Sequence, residues 1–345
     1  MVADNLPPSS RSSRKGSLTW LKRVLSLALF GVLVYFFLPL VKEIKAAAEL
    51  FSAANWIWLG IAILVQVISY ASLTWLNALA LEPFSGKIKF GTLAAVLTSM
   101  AFIQIAIPSA GLSGVALRVH LLRKYSYAPE ESLFSLMVET VLEIIALVSV
   151  ALLGVAYLLQ VGGLSVKDVA LFSFLCVFLA GVLGYGWWLL NHPARSQIIL
   201  AGLVAGWNRS AGRFRRLDYN QLKERLALFQ ENLTKYQLTS FVKLVLAAYG
   251  KVILDVFTLG ACFYLLRYTI SLPTLFLGYG LILTFSGSSA LPGGAGMTDA
   301  FVPVLFSWIS VPGAVALAAG LTYRLIAFWL VRFVGFISWQ VLENR

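Results

Sequence analysis

Charged side chains are scarce in this chain of 345 residues, because Asp, Glu, Lys and Arg together make up only 12% of it. A soluble globular domain carries about 25% charged residues. Apolar residues make up 59% of the chain, and the mean hydropathy is +0.84. Long apolar runs recur from about residue 18 to residue 342. This composition excludes a soluble globular enzyme, a disordered chain and a fibrous protein, and it indicates a membrane protein.

Cysteine and histidine are each present only twice. Cys176 and Cys262 both lie inside apolar runs, which is typical of buried thiols and not of a disulfide framework. His120 and His192 are 72 residues apart, with no Cys or His cluster near them. Neither a G-x-S-x-G motif nor a phosphate-binding P-loop occurs. We therefore expect no metal site, no cofactor and no enzymatic activity.

The net charge of +12 comes from basic residues that cluster between the apolar runs. A nucleic-acid groove would instead need basic residues interleaved with exposed aromatic residues. Nineteen of the 27 Lys and Arg residues fall in regions that we assign to the cytoplasm, and four fall in outer loops. This asymmetry follows the positive-inside rule. It predicts an integral plasma (inner) membrane protein with both termini in the cytoplasm and no nucleic-acid partner.

The apolar runs define the domain organisation. Residues 1–17 form a polar basic tail that we expect to be disordered. Residues 18–342 form a single transmembrane domain, and residues 343–345 form a C-terminal tail. Six runs are long enough for full spans, at about 18–41, 56–81, 132–159, 169–190, 241–266 and 313–342.

A polar insert at residues 191–240 carries eight basic residues. Its apolar side chains recur at helical spacing, at Leu222, Leu226, Phe229 and Leu233. The pattern predicts a cytoplasmic basic amphipathic helix that binds anionic lipid at the membrane surface.

Two further apolar segments, residues 90–122 and 273–308, are interrupted by Pro and Gly. The first contains Pro108, and the second contains LPGGAGMTD. Because helices break at such residues, each segment is predicted to be two short helices with a break at membrane depth. The fold class is therefore an all-α polytopic membrane protein with about six full transmembrane helices and two re-entrant broken-helix hairpins. In each half, a span, a hairpin and a span follow one another in opposite orientations, which indicates an inverted repeat.

The glycine-rich block is the first candidate site. Gly293, Gly294 and Gly296 permit close backbone approach, and a broken helix leaves free N–H groups that favour an anion such as phosphate. The alternative is a glycine-rich turn that only allows close helix packing.

Ionisable residues inside the apolar runs are the second set of candidates, because a charge in the membrane usually faces the interior of the helix bundle and is paired. For these residues a structural ion pair and a substrate contact are both open interpretations. Arg118 and Arg324 adjoin the two broken segments, which favours a substrate contact for these two. Arg332 lies near a span end and is predicted to snorkel. The charge-balancing or relay candidates are Glu139, Glu143, Asp299, Lys251 and Asp255. Glu139 with Glu143, and Lys251 with Asp255, are four residues apart and share a helical face.

Four sequence blocks carry a family resemblance: IPSAGLSGVALRVHLL (107–122), VETVLE (138–143), SGSSALPGGAGMTDAF (286–301) and LTYRLIAFWLVRFVG (321–335). Together they resemble the membrane domain of lysylphosphatidylglycerol synthases, in the flippase-like form that occurs alone. The resemblance implies a polytopic protein that moves or binds phospholipid. It maps functional positions of the family onto Pro108, Arg118, Glu139, Pro292–Gly296 and Arg324. The candidates for binding a lipid headgroup that it implies are Pro108, Arg118, Pro292, Gly293, Gly294, Gly296 and Arg324, while Glu139 would balance their charge.

The chain departs from the family in two places. Asp299 stands where many members have Glu, and Leu-Ser in the first block stands where others have Gly-Glu. The chain also holds no polar stretch long enough for the soluble aminoacyl-transferring domain, so the resemblance does not imply synthase activity.

These observations favour membrane lipid translocation, or lipid-linked transport between leaflets, with membrane phospholipid as the partner. A second interpretation is a non-catalytic scaffold that holds a lipid-modifying or glycosyl-transferring partner enzyme through the 191–240 insert. A third is an integral lipid-modifying enzyme, which the lack of a catalytic constellation disfavours.

Overall fold

A computed structural model describes residues 48–107, 111–160, 192–210, 218–236, 238–288, 297–307 and 309–343, with a few single positions between 177 and 189. Every regular element within these residues is helical, so the predicted all-α class is confirmed. Helices suit this composition because lipid offers no hydrogen-bond partner for the backbone. In chain order they are α1 (Ile57–Leu81), α2 (Phe90–Ala106), α3 (Leu112–Arg123), α4 (Pro129–Gln160), α5 (Pro193–Ser210), α6 (Tyr219–Thr234), α7 (Leu238–Leu265), α8 (Leu272–Ser288), α9 (Met297–Ser307), α10 (Gly313–Arg324), a π-helical segment (Leu325–Leu330) and α11 (Val331–Glu343).

Four stretches of helix among the described residues are long and apolar enough to cross a membrane. They are Ile57–Leu81, Pro129–Tyr157, Thr239–Leu265 and Gly313–Glu343. Each coincides with a predicted full-length run. The other two predicted spans, 18–41 and 169–190, lie outside the described residues except for scattered positions in the second, as do the tail 1–17 and the last two residues.

The first interrupted segment forms two helices, with α2 ending at Ala106 and α3 beginning at Leu112. Gly111 between them has φ of +87°, a left-handed conformation that favours glycine. The Ser113 hydroxyl donates hydrogen bonds to the carbonyls of Ile103 at 3.2 Å and Ile107 at 3.1 Å. The Ile103 carbonyl also accepts from the Ile107 N–H, so Ser113 is an additional donor there. At the Ile107 carbonyl, Ser113 supplies a donor that lipid could not.

The second interrupted segment also has a helix on each side of its break. Helix α8 ends at Ser288 and α9 begins at Met297. The predicted glycine-rich site, with Pro292, lies between them and outside the described residues, as does Pro108 in the first break.

Three helices end with the same backbone motif. Ser126, Arg267 and Ser310 have φ between 57° and 65° and follow α3, α7 and α9. In each case the next residue donates its N–H back into the last turn, to the carbonyls of Leu122, Phe263 and Phe306. This left-handed cap satisfies carbonyls at a helix end and turns the chain sharply, so the neighbouring helices are joined by short loops.

The packing of the helices follows the predicted division into halves, 56–159 and 241–342. Helix α1 packs along α7, α2 packs along α11, and α4 packs along α8. The first pair joins the opening spans of the two halves. The other two pairs each join the first helix of a broken segment to the closing span of the opposite half. Exchanging the two halves therefore leaves this pairing pattern unchanged.

The insert contains two helices, and the predicted amphipathic stretch coincides with α6. Gln230 on α6 donates a hydrogen bond to the Ser196 hydroxyl on α5 at 3.1 Å. After α6, the Tyr236 hydroxyl donates to the carbonyl of Ala80 at the end of α1. Burial raises the pKa of Tyr236, so this phenol keeps the proton that it donates.

Candidate functional site

A cavity of about 330 Å³ lies between helices of both halves, and we call it the polar cavity because charged and polar side chains line it. Because a charge in the bilayer is costly, charged side chains that converge on one cavity indicate a site. Charged and polar lining residues come from six helices: Gln66 and Tyr70 (α1), Glu139 and Glu143 (α4), Lys251 and Asp255 (α7), Tyr279 (α8), Tyr323 and Arg324 (α10) and Arg332 (α11).

Lys251 bridges two carboxylates from different helices. Its Nζ lies 3.3 Å from Asp255 Oδ2, which is the i,i+4 pair that the sequence indicates, and 3.4 Å from Glu143 Oε2 on α4. This second contact joins α4 to α7. The ammonium group therefore offsets negative charge from both helices at the cavity wall.

Asp255 is 5% exposed and accepts hydrogen bonds at both carboxylate oxygens. Ser69 Oγ at 2.5 Å and Gln66 Nε2 at 3.1 Å donate to Oδ1, and the Tyr279 hydroxyl donates to Oδ2 at 2.9 Å. With the contact to Lys251, this set of partners meets the requirement that a buried carboxylate be both paired and hydrogen-bonded.

Arg118 is fully buried beside the polar cavity and is not among its lining residues. Its Nη1 donates to Glu139 Oε2 at 2.7 Å, while its Nη2 donates to Asn77 Oδ1 at 2.6 Å and Ser135 Oγ at 2.8 Å. The guanidinium thus links α1, α3 and α4, and its carboxylate partner Glu139 lies at the cavity wall.

Arg324 and Arg332 both stack on the ring of Phe328. The Cζ atoms lie 4.8 Å and 3.4 Å from the ring centroid, within the range of cation–π interactions. Arg332 Nη1 also donates to the Phe328 carbonyl at 2.9 Å. All three residues line the polar cavity, at or beside the π-helical segment. π-Helical turns are rare in proteins, and many of those that occur lie at functional sites.

Three buried polar atoms of cavity-lining residues have no hydrogen-bond partner in the part of the chain that the structure describes. They are Gln66 Oε1, Glu143 Oε1 and Arg332 Nε. Because buried polar groups are nearly always hydrogen-bonded, two acceptors and a donor without partners point to a polar ligand or water in the cavity. Within the described residues, no three His, Cys, Asp or Glu side chains converge as metal ligands.

The structure brings five of the predicted site residues to the lining of the polar cavity, namely Glu139, Glu143, Lys251, Asp255 and Arg324. Arg118 is adjacent through Glu139. The predicted positions Pro108, Pro292, Gly293, Gly294 and Gly296 lie outside the described residues. Asp299 belongs to α9, and its side chain is also outside the description. Their predicted roles stay predictions.

Sequence reasoning missed several lining residues. Gln66, Tyr70 and Tyr279 carry no charge, although polar side chains within apolar spans are a usable signal for an interior face. Arg332 was expected to snorkel because of its place near a span end, whereas its side chain lines the cavity and stacks on Phe328. The aromatic ring four residues earlier was the signal for that orientation.

No curated protein matches the chain. The family model described as "Lysylphosphatidylglycerol synthase TM region" matches residues 23–335, so the resemblance predicted from the sequence blocks is confirmed. This match and the four candidate spans identify an integral membrane protein, and the family suggests a function related to membrane lipids. The chain belongs to the family of lysylphosphatidylglycerol synthase TM regions.

Proposed function

We propose that the protein moves an anionic phospholipid between the leaflets of the plasma (inner) membrane, as a transporter and not as an enzyme. The observation that carries this proposal is the pair of guanidinium groups, Arg324 and Arg332, at the wall of a cavity between membrane helices. Guanidinium matches phosphate oxygens in bidentate geometry and stays charged at physiological pH. A volume of about 330 Å³ suits a headgroup, so the acyl chains would stay in the bilayer.

The two arginines have different partners from Arg118. Arg118 satisfies three protein acceptors in a fully buried position, and we assign it the structural role of holding Glu139. Arg324 and Arg332 both stack on the ring of Phe328, and unlike Arg118 they both line the polar cavity. We assign the headgroup contact to these two. The predicted anion site at Gly293–Gly296 would add backbone donors to it.

The proposed topology has six full spans and two re-entrant hairpins in an inverted repeat, with both termini in the cytoplasm. The symmetric pairing of α1 with α7, α2 with α11 and α4 with α8 supports it. In transporters built this way, substrate binds near the midplane where the two repeats meet. The polar cavity has walls from both halves, as such a site requires.

The test is a leaflet-resolved transfer assay in proteoliposomes, with fluorescent phosphatidylglycerol as the probe and phosphatidylcholine for comparison. Arg324→Lys keeps the charge and loses the bidentate fork. We expect transfer to fall about tenfold or more, since a charge-assisted hydrogen bond contributes about 1.5–3 kcal/mol. Arg267→Lys, the same substitution at an exposed loop position, is the matched control and should transfer like wild type.

Two results would contradict the proposal. One is full transfer by Arg324→Lys. The other is folded wild-type protein that neither binds nor transfers phosphatidylglycerol or phosphatidylcholine. That result would favour the scaffold role with a partner enzyme at the 191–240 insert.

A further inference from the structure

The two carboxylates that share Lys251 are unequally satisfied. Asp255 accepts from Ser69, Gln66 and Tyr279 in addition to its contact with Lys251. Glu143 has one contact with Lys251, at 3.4 Å through Oε2. Its Oε1 is buried and has no hydrogen-bond partner among the described residues. Glu143 is therefore the carboxylate of this pair whose buried oxygen can still accept a hydrogen bond from a group in the cavity.

A second observation on another helix points to a proton-bearing ligand at the same place. Gln66 is 4% exposed, and its amide nitrogen is committed to Asp255. Its Oε1 faces no donor within the described residues, although Gln66 lines the cavity. Two buried acceptors of cavity-lining residues, Gln66 Oε1 and Glu143 Oε1, thus both lack a donor in the part of the chain that the structure describes. Water or hydronium that enters the cavity would supply donors to both.

We infer that Glu143 is a proton-exchange site and that its protonation is coupled to headgroup binding in the polar cavity, an inference that rests on the proposed function. Hydronium in the cavity transfers one proton to Glu143 Oε1. One O–H bond of hydronium breaks, one forms on the carboxyl group, and a neutral water remains. When Glu143 releases the proton, the O–H bond on the carboxyl group breaks and a water molecule that leads to the opposite side of the membrane accepts the proton. No electrons are transferred.

The charges around Glu143 explain the coupling. Lys251 and Asp255 face it from α7, Glu139 from its own helix, Tyr70 from α1 and Tyr279 from α8. Tyr323 and Arg324 on α10 and Arg332 on α11 line the same cavity.

When Glu143 is neutral, one negative charge is removed from the lining of the cavity that also holds the two arginines, so an anionic headgroup binds more favourably. By linkage, the bound headgroup also favours the proton.

The binding test uses purified full-length protein in detergent with short-chain phosphatidylglycerol as the probe. Proton uptake on binding is followed with a pH indicator in weak buffer, across the pH range in which the protein stays folded. Wild type should take up as much as about one proton per lipid bound, and its affinity should rise as the pH falls. Glu143→Gln should bind lipid with no uptake and with no dependence of affinity on pH.

Two further variants keep the binding test decisive. Glu143→Asp retains a titratable group and should retain proton uptake, which matters if Glu143→Gln folds poorly. Glu130→Gln changes an exposed carboxylate at the start of the same helix and should behave like wild type. If wild type binds the lipid without proton uptake, or if Glu143→Gln takes up protons as wild type does, the inference fails.

The transport test separates this inference from the proposed function. In proteoliposomes an imposed pH gradient should bias the leaflet distribution of phosphatidylglycerol in wild type and not in Glu143→Gln, and replacing Na⁺ by K⁺ should change nothing. Lipid transfer that a Na⁺ gradient biases and a pH gradient does not overturns the proton site alone. No lipid binding and no transfer under any gradient overturns the proposed function, and the coupling with it.

Discussion

At the scale of single residues, Arg118 shows what a charge inside this bundle requires. It is fully buried, and it donates to a carboxylate, an amide oxygen and a hydroxyl on α1 and α4. A buried ion pair adds little stability over an apolar pair of the same shape. Removing one partner, however, leaves the other charge buried without compensation, and that is strongly destabilising.

We predict that Arg118→Met lowers the free energy of unfolding by about 3–5 kcal/mol, because Glu139 loses its cationic partner. The double variant Arg118→Met/Glu139→Gln should recover part of this loss, since no unpaired carboxylate remains. Reversible unfolding of the detergent-solubilised protein would measure both. Arg123→Met, at an exposed position on the same helix, is the control. The single variant Glu139→Gln completes the double-mutant cycle. If the losses of unfolding free energy in the two single variants simply add up to that of the double variant, Arg118 and Glu139 do not stabilise the protein as a pair.

Lipid transfer measured together with the free energy of unfolding separates the roles assigned to the arginines. Variants at Arg118 should lose transport only in proportion to their loss of folded protein. Arg324→Lys should lose transport while its stability stays close to that of wild type, because Arg324 lines the cavity.

At the scale of elements, the crossing of α2 and α11 depends on close backbone approach. The Thr98 hydroxyl lies 3.3 Å from the Ser338 hydroxyl, and Phe102 packs its ring against Phe336 at a centroid distance of 5.2 Å. At the centre of this contact is Gly335, where an added Cβ would overlap the Thr98 carbonyl. Backbone groups cannot move aside as a side chain can, so only glycine fits there.

Gly335→Ala should therefore destabilise the protein by about 1–3 kcal/mol, although Ala is otherwise the better helix former. Gly60→Ala in α1 is the matched control, because an added Cβ at Gly60 meets no atom within 4 Å. The thermal unfolding midpoints of the two variants in detergent provide the comparison. Equal midpoints would mean that α2 and α11 can separate at little cost, which would contradict the tight crossing.

At the scale of the whole molecule, the symmetric pairing of helices and the distribution of basic residues are the grounds for the proposed topology. Short loops with left-handed caps follow α3, α7 and α9, at Ser126, Arg267 and Ser310. If both broken segments are hairpins that return to their own side, the loops on either side of each segment face the same compartment.

We predict that single cysteines at Lys89 and Lys124 react with a membrane-impermeant thiol reagent only from the cytoplasm. Cysteines at Arg267 and Ser310 should react only from outside. The positive-inside rule supplies the reason, since both lysines belong to the basic regions assigned to the cytoplasm. The background replaces Cys176 and Cys262, and protein labelled after permeabilisation is the control. If Lys89 and Lys124 react from opposite sides, the first broken segment is an ordinary span and the inverted repeat is wrong.

Much of this protein was determined by its sequence alone. Few charges and long apolar runs select helices, because in lipid the backbone must satisfy its own hydrogen bonds. Four predicted spans and helices on both sides of each break follow from that constraint. The cost of charge in the membrane likewise singled out Glu139, Glu143, Lys251, Asp255 and Arg324 before any contact was known.

Only the tertiary structure decided which of these charges meet. The contact of Lys251 with Glu143 spans 108 residues of sequence, and that of Ser69 with Asp255 spans 186. The spacing of polar residues along one helix shows which face of that helix is polar. It does not show how the neighbouring helix is rotated, and this rotation decides which side chains meet. Arg118 and Arg324 therefore look alike in sequence. The packing encloses the first among Asn77, Ser135 and Glu139 and turns the second toward the polar cavity, because each position depends on the neighbouring helices.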